Sequence, residues 1–191
     1  MTDLNGIVLA GGRSIRMKTD KAFLMYHGLE QYQYLVNLLD NFCNDIYVSC
    51  RTEQQFSCKC ICDLPEYAGI GPAAAWFSVF NTSLKAFVIL GIDYPYFNLE
   101  ELRNLILNRD KKAVASVLYN QETGFYEPML GIYEASFYNI LLSQADTTGI
   151  SIQSILRKSN VKKVLPLNNN AIRSIDNPDD YQATLFSLNG K

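Results

Sequence analysis

The sequence predicts an α/β fold in which a mostly parallel sheet carries helices on both faces. Short apolar runs rich in β-branched residues recur along the chain, and longer runs with a helical period lie between them. Parallel strands need long crossover connections, and the helical runs are long enough to provide them. Five runs are predicted as strands buried on both faces: GIVLA (6–10), DIYVSC (45–50), CKCIC (58–62), AFVILG (86–91) and AVASVLY (113–119).

Helices are predicted between these strands from the spacing of apolar residues and from capping residues. In the run 30–42, five side chains share one helical stripe: Tyr34, Leu35, Leu38, Leu39 and Phe42. The run 72–82 begins with Pro72 at a first helical position, and the run 98–108 begins with Asn98 as an N-cap. The C-terminal part adds a strand at 127–134 and helices at 136–145, 151–158 and 177–189.

Length and composition favour one globular domain over residues 1–191. The chain has 191 residues, of which 48% are hydrophobic, so it can bury a sizeable core. Its 17 Lys and Arg against 19 Asp and Glu give a net charge of -2, which provides no long-range field to hold nucleic acid or an acidic membrane. The sequence shows neither a signal peptide nor a run of roughly 18 apolar residues. We therefore expect a cytoplasmic protein that binds neither nucleic acid nor membrane.

The cysteines are predicted to be reduced, since an odd count fits badly with a complete set of intramolecular disulfides. They are Cys43, Cys50, Cys58, Cys60 and Cys62. In CKCIC (58–62), alternate residues of a strand would lie roughly 6.6 Å apart, which is wider than neighbouring sulfurs around one zinc ion. Free cysteine packs as a small hydrophobe, so we predict that this run is a buried strand face. A zinc site is the alternative if the segment is a loop.

The turn after the first strand has the composition of a phosphate site. In open α/β sheets, ligands bind beyond the carboxyl ends of the strands. Gly11 and Gly12 give the backbone the freedom to point several N–H groups at one phosphate. Four cations follow closely: Arg13, Arg16, Lys18 and Lys21. A wrapping loop would bring Arg16 and Lys21 over the glycines to neutralise a triphosphate. A plain tight turn with solvated charges is the alternative.

The segment LAGGRSIRMKTDKA (9–22) resembles LAGGxSxRMGxDKA, the signature loop of the MobA-like nucleotidyltransferases. Thirteen of its fourteen positions agree with the pattern, and Lys18 stands where the family usually has glycine. The resemblance implies that the nucleotide is bound by Leu9, Ala10, Gly11 and Gly12. It also implies that Arg16 and Lys21 hold the triphosphate and act in catalysis.

A later segment extends the resemblance to the nucleotide base. DLPEYAGIGPAAAW (63–76) resembles the family's D...GxxGPLxG segment, in which the aspartate and the glycine loop help to seat the nucleotide. A carboxylate at Asp63 can accept from the paired N–H donors of a guanine edge. It can equally fix a turn. SCR (49–51) lacks the asparagine of the family's SANR-like turn, and Ala75 stands where the family often has glycine.

Asp93 is the predicted magnesium ligand. In AFVILGIDYPYF (86–97), an aliphatic strand delivers one aspartate at its carboxyl end, and Mg²⁺ prefers one or two carboxylates together with substrate phosphates. The segment resembles the family's CDMPFL motif, which carries the metal aspartate, and a turn or capping role is the alternative. SIDNPDDY (174–181) resembles the closing NINTPED motif with Asp176 in place of an asparagine, so this carboxylate is a candidate second ligand. EPMLGIYE (127–134) resembles the strand that borders the acceptor site.

The resemblance runs from Leu9 to Tyr181 and implies a Rossmann-like three-layer α/β fold of the nucleotide-diphospho-sugar transferase type. The implied activity is Mg²⁺-dependent transfer of GMP from GTP to the terminal phosphate of molybdopterin cofactor, with release of pyrophosphate. One alternative is a transferase that uses CTP or a sugar phosphate, which Asp176 favours. The other is a nucleotide-binding module without turnover, which the departures at Lys18 and Ala75 permit. The family context also suggests partner proteins that hand over the cofactor, and a monomer or weak homo-oligomer.

Overall fold

In the computed structural model, the chain forms seven strands and six α-helices over the residues that are described, which are 3–12, 17, 19–67, 73–144 and 149–189. The strands are β1 (Leu4–Leu9), β2 (Ile46–Cys50), β3 (Cys60–Cys62), β4 (Ala86–Gly91), β5 (Ala115–Asn120), β6 (Phe125–Tyr133) and β7 (Val161–Val164). The helices are α1 (Gln31–Asp40), α2 (Ala73–Thr82), α3 (Leu99–Leu107), α4 (Phe137–Leu142), α5 (Ile152–Lys158) and α6 (Pro178–Asn189). Apart from β7, each of them overlaps a segment that the sequence predicts.

The seven strands form one sheet in the order β3-β2-β1-β4-β6-β5-β7. Parallel pairs join β1 to β2 and β4, β2 to β3, and β5 to β7, whereas β6 runs antiparallel between β4 and β5. The prediction of a mostly parallel sheet is thereby confirmed. Because β1, β2, β3 and β4 all run in the same direction, their carboxyl ends lie along one side of the sheet, called the C-terminal edge below.

Helices cover both faces of this sheet and complete three layers. On one face, Leu35 of α1 and Leu102 of α3 share a buried cluster with Val8 of β1. On the other face, Ile7 of β1 belongs to a second buried cluster with Phe77 of α2. Successive residues of β1 therefore enter opposite clusters, which explains why β1 and β4 are buried along their whole length.

Capping side chains set the starts of three helices. Asn98 accepts hydrogen bonds at 3.0 Å from two backbone N–H groups in the first turn of α3, which confirms the predicted N-cap. Ser151 caps α5 at 3.2 Å, and Asn177 caps α6 at 2.9 Å. Pro72, predicted at the start of α2, lies outside the described residues.

The helix α6 packs beside the segment that follows the first turn. Tyr181 of α6 contacts Tyr26 edge-on, with ring centroids 5.1 Å apart. Both rings belong to a small apolar cluster with Met17 and Leu24. This contact anchors the C-terminal helix against Leu24 and Tyr26. None of the helices in the described ranges is both long and apolar enough to cross a membrane.

The prediction that CKCIC forms a buried strand face is wrong. The strand is shorter, Cys60–Cys62, and it is the outer strand of the sheet beside β2. Cys60 and Cys62 are exposed, and Ile61 is the residue that packs inward with α2. The sequence shows that cysteines alternate with other residues in this segment. It does not show that β3 is an edge strand, with a neighbouring strand on one side alone. All five cysteines are free thiols. Within the described part of the chain, no three or more His, Cys, Asp or Glu are grouped to hold a metal ion.

Candidate active site

The turns after β1, β2 and β4 lie side by side at the C-terminal edge. The register pairs Leu9 with Ser49 of β2 and with Gly91 of β4, so the three strands end level with one another. The Ala10 N–H donates to the Ser49 carbonyl at 2.9 Å, and the Ile92 N–H donates to the Leu9 carbonyl at 3.4 Å. Side chains that follow these strands are therefore within reach of one another.

The Lys21 ammonium lies between the two carboxylates that were predicted as metal ligands. Its Nζ is 2.9 Å from Asp93 Oδ1 and 2.7 Å from Asp176 Oδ1. The side chains are 12% exposed for Lys21, 25% for Asp93 and 51% for Asp176, so the group opens to solvent on the Asp176 side. Burial alone would lower the pKa of Lys21, but hydrogen bonds to Asp176 and Asp93 outweigh it and raise the pKa. The ammonium is therefore charged at neutral pH.

Asp176 is brought to the site by the segment that precedes α6. The Ile175 N–H donates to the Asp93 carbonyl at 2.8 Å, and the Ile175 side chain is buried. Asp176 Oδ2 also accepts a hydrogen bond from the Ser174 hydroxyl at 3.3 Å. Lys21 and Asp176 are 155 positions apart in the sequence, so their contact depends on the docking of this segment onto the end of β4.

An arginine that the sequence interpretation did not single out organises the first turn. Arg51 directly follows β2. Its guanidinium donates to the Gly11 carbonyl at 3.0 Å and to the Gly12 carbonyl. It also donates to Asp20 Oδ2 at 3.1 Å. The available signal was its position, because a residue directly after β2 must lie at the edge where ligands were expected.

Asp20 and Gln54 complete what we call the loop clamp, which consists of Asp20, Arg51 and Gln54. Gln54 donates to Asp20 Oδ2 at 2.7 Å and to the Ala10 carbonyl at 3.1 Å. The other oxygen of Asp20 accepts at 3.1 Å from a backbone N–H in the 3₁₀ turn Lys21–Phe23. The loop clamp therefore ties the turn after β1 to the turn that begins with Lys21.

Gly11 and Gly12 leave space above the turn, but they do not adopt an unusual backbone conformation. Neither has a positive φ. Among the described residues, and apart from its chain neighbours, a Cβ added at Gly12 would meet no atom within 4 Å, and one at Gly11 would first meet the Cys50 carbonyl carbon at 3.9 Å. Leu9 and Ala10 are buried, so their side chains lie in the core beneath the turn. A ligand above the turn would meet backbone and glycine Cα atoms.

Asp63 lies apart from the Lys21 group. It follows β3, two strands from β1 along the C-terminal edge, and it is exposed. Other positions that the sequence interpretation implicated lie outside the described residues: Arg13, Arg16, Lys18, Gly69 and Gly71. The structure therefore brings together Lys21, Asp93 and Asp176 beside the glycine turn.

Tyr94 and Glu127 form a polar pair on the β6 side of Asp93. The Tyr94 hydroxyl donates to Glu127 Oε2 at 3.1 Å. Burial and the neighbouring Glu127 raise the pKa of Tyr94 well above its usual range. Burial also raises the pKa of Glu127, although the hydrogen bond from Tyr94 opposes this shift. The pair lies on the side of the site that the resemblance assigns to the acceptor.

Sequence comparison relates the chain to proteins of molybdenum cofactor biosynthesis. A molybdenum cofactor biosynthesis bifunctional protein of Synechocystis sp. is 30% identical over 186 residues, which are 94% of this chain and 53% of that protein. The chain therefore spans about half the length of this relative. A protein of Geobacillus sp. named a probable molybdenum cofactor guanylyltransferase is 29% identical over 140 residues, with 70% of this chain and 71% of that protein covered.

Solved structures share the fold. Molybdopterin-guanine dinucleotide biosynthesis protein A from Archaeoglobus fulgidus superposes with a TM-score of 0.79 at 21% identity, covering 98% of this chain and 100% of that chain. A nucleotidyl transferase from Methanothermobacter thermautotroptrophicus gives 0.76 at 15% identity, covering 98% of both chains. The expected three-layer Rossmann-like fold is thereby confirmed. Residues 6–164, which contain nearly all of the sheet, match the family model described as the MobA-like NTP transferase domain, and the chain therefore belongs to that family.

Proposed function

We propose that this chain transfers GMP from GTP to the terminal phosphate of molybdopterin cofactor and releases pyrophosphate. The observation that carries the proposal is the Lys21 ammonium held between Asp93 and Asp176 beside the glycine turn. This arrangement offers positive charge to phosphate oxygens and carboxylates to a divalent cation. The names of the Geobacillus relative and of the Archaeoglobus structure support a guanine nucleotide and a molybdopterin acceptor.

The GTP triphosphate is proposed to bind above the turn after β1. The loop clamp engages the carbonyls of Gly11 and Gly12, which leaves N–H groups of the turn to meet phosphate oxygens. Lys21 supplies one cationic head, and Arg16, through its place in the family motif, supplies a second. Asp63 is proposed to accept from the guanine edge.

Mg²⁺ fits the donor set at Asp93 and Asp176. Both carboxylates accept a hydrogen bond from the same ammonium, so they lie close enough to share one cation, and Mg²⁺ would take its remaining ligands from water and phosphate. Asp93 is proposed as the main ligand because it is the more buried of the two, and Asp176 as the second. When bound, the ion supplies Lewis-acid neutralisation of charge at the transferred phosphate.

The reaction requires no general base from the chain. The attacking oxygen belongs to a phosphate that is already anionic at neutral pH, so no proton has to be removed. Catalysis then depends on in-line placement and on neutralising the charge of the triphosphate. Lys21 remains protonated for this task, and no covalent intermediate with the protein is expected.

Pyrophosphate release by the full chain with GTP, Mg²⁺ and molybdopterin cofactor tests the proposal. We expect Asp93→Asn to lower the rate about 100-fold or more, because it removes the carboxylate charge proposed to hold Mg²⁺ at the transferred phosphate. Asp179→Asn, which changes an exposed carboxylate in the first turn of α6, is the matched control and should keep the wild-type rate. No release by folded wild-type protein, or equal rates in the two variants, would overturn the proposal.

A transferase that uses CTP or a sugar phosphate is the second candidate. It is favoured by the aspartate at position 176, which contacts Lys21 and resembles the DIDTPED form of the closing motif in cytidylyltransferase relatives. Calorimetric titration with GTP and with CTP, each with Mg²⁺, separates the two. Tighter binding of CTP would favour this candidate. Tight binding of either nucleotide without pyrophosphate release would instead identify a binding module.

A further inference from the structure

Two thiols face each other where β2 and β3 end. Cys50 and Cys62 are direct partners in the parallel register, and their sulfurs are 3.7 Å apart. Neighbouring strands lie about 4.8 Å apart, which falls within the Cα separation of about 4.4–6.8 Å that a disulfide spans. Cys50 is buried and Cys62 is exposed, so a solvent oxidant can reach one sulfur of the pair while the other is held behind it.

We propose that Cys50 and Cys62 form a reversible disulfide when the protein meets a hydroperoxide, and that this bond weakens nucleotide binding through Arg51. The first half of the proposal stands on the geometry of the two thiols. The second half rests on the proposed function.

Hydrogen peroxide can oxidise the two thiols to a disulfide in two steps. The Cys62 thiolate attacks one peroxide oxygen, the O–O bond breaks, and the leaving hydroxide becomes water by taking a proton. The Cys50 sulfur then attacks the Cys62 sulfenic acid, the S–O bond breaks, and a second water leaves with the Cys50 proton. Burial, with contributions from Cys62 and Cys60, raises the pKa of Cys50, which is why the exposed partner reacts first.

The remaining thiols are less well placed for this reaction. Cys60 is paired with Val48 in the register, and its sulfur lies 3.4 Å from the Cys58 carbonyl of its own segment. Cys43 lies after α1, where its sulfur is close to Gly6 of β1. Cys60 also lies near Cys50, but Cys62 is the register partner of Cys50 and its sulfur is 3.7 Å away, so the structure favours the Cys50–Cys62 cross-link.

The cross-link is mechanically connected to the loop clamp. The sulfurs have to close from 3.7 Å to a bond of about 2.05 Å, which rotation of the two side chains and a small movement of the end of β2 toward β3 would provide together. Arg51 is the next residue after Cys50, and its guanidinium holds the carbonyls of Gly11 and Gly12. We expect movement of Cys50 on bond formation to be passed to Arg51 and to weaken its hold on the turn where the triphosphate is proposed to bind.

Mass spectrometry of the full chain tests the cross-link. We expect reduced wild-type protein treated with hydrogen peroxide to lose about 2 Da, to regain it with dithiothreitol, and to give a peptide joining Cys50 to Cys62. Cys62→Ser should abolish the loss. Cys60→Ser, two positions away on the same exposed side of β3, is the matched control and should retain it. Absence of the loss, or a bond that involves Cys58 or Cys60, would overturn the proposal.

Calorimetric titration of GTP with Mg²⁺ tests the connection to the clamp. We expect the dissociation constant to rise about 5-fold or more on oxidation of wild type and to stay unchanged in peroxide-treated Cys62→Ser. Equal affinity of the reduced and cross-linked wild type would overturn the coupling. If reduced wild-type protein binds no nucleotide, the proposed function fails, while the mass result still decides the cross-link.

Discussion

The two cations described at the C-terminal edge, Lys21 and Arg51, engage different kinds of partner. Lys21 donates to the carboxylates of Asp93 and Asp176, whereas Arg51 donates to two backbone carbonyls and to Asp20. A compact ammonium can exchange a carboxylate for a phosphate oxygen without disturbing the chain. A planar guanidinium that holds several fixed acceptors cannot be moved so easily. We infer that Lys21 works on the substrate and that Arg51 works on the shape of the turn.

Removing Lys21 should give the largest effect. We expect Lys21→Ala to lower pyrophosphate release about 100-fold or more, because two carboxylates then face the triphosphate without a compensating cation. Steady-state assays with GTP and acceptor measure this. Lys59→Ala removes an exposed lysine that is also paired with an aspartate, at 2.7 Å, and serves as the control. Similar rates for the two variants would show that Lys21 does not act on the substrate.

Replacing Arg51 should give the next largest effect and should act on binding. We expect Arg51→Lys to weaken GTP binding about 10-fold, or about 1.4 kcal/mol, because one ammonium cannot reach two carbonyls and a carboxylate together. Calorimetry measures the dissociation constant, with Arg173→Lys as the control, since Arg173 pairs with Asp180 on the exposed surface. Wild-type affinity in Arg51→Lys would contradict a positioning role.

High pH should separate the two cations through their stability contributions. Because the folded-state pKa of Lys21 is raised, its ion pairs contribute fully below 10.5 and are lost as the pH rises through the raised value. A guanidinium keeps its charge over this range. We expect Lys21→Met to cost about 1 kcal/mol of unfolding free energy near neutral pH and progressively less above pH 10.5.

Urea unfolding near neutral pH and above pH 10.5 measures how the cost of Lys21→Met changes with pH. The corresponding cost of Arg51→Met should remain constant, and it provides the internal reference. A cost of Lys21→Met that does not shrink at high pH would mean that its ion pairs add nothing to stability.

Substitution of Gly12 should give the smallest effect on stability. We expect Gly12→Ala to change the free energy of unfolding by less than about 0.5 kcal/mol, because the added methyl meets no atom within 4 Å among the described residues beyond its chain neighbours. It should still weaken GTP binding several-fold, since the methyl would stand where the phosphates are proposed. Gly28→Ala, at a glycine with a φ of 71° in the turn after Leu24, provides a contrast in which stability falls and binding is kept. Unchanged GTP affinity in Gly12→Ala would argue against a ligand above the turn.

The sequence predicted those parts of the fold that depend on local pattern. The strand Ala86–Gly91 and the Asn98 cap were correct because a continuous apolar run and a capping side chain are properties of neighbouring residues. The strand Val161–Val164 was missed because it is an edge strand of the sheet. Its two central residues are exposed lysines, so it lacks the continuous apolar run that marks a buried strand. Cys60 and Cys62 were assigned to the wrong environment for the related reason that the position of β3 in the sheet is not a local property.

The candidate site also contains residues that the sequence could predict and residues whose role it could not. Asp93 could be singled out because it follows a buried strand, and Lys21 because it belongs to a recognisable motif. The position of Arg51 after β2 was a signal that it lies at this edge, but its role could not be predicted, since that role depends on carbonyl groups 39 and 40 positions away. Hydrogen bonds to the backbone leave no trace in residue type, so the loop clamp became visible only in three dimensions.

The hydrogen bond from the Ile175 N–H to the Asp93 carbonyl has a consequence for the design of truncated or chimeric forms of this domain. The family match ends at residue 164, before the segment that delivers Asp176 to Lys21. A truncation or chimera designed on that boundary would keep all seven strands and discard one of the two carboxylates beside the ammonium. Design boundaries should therefore be drawn after α6.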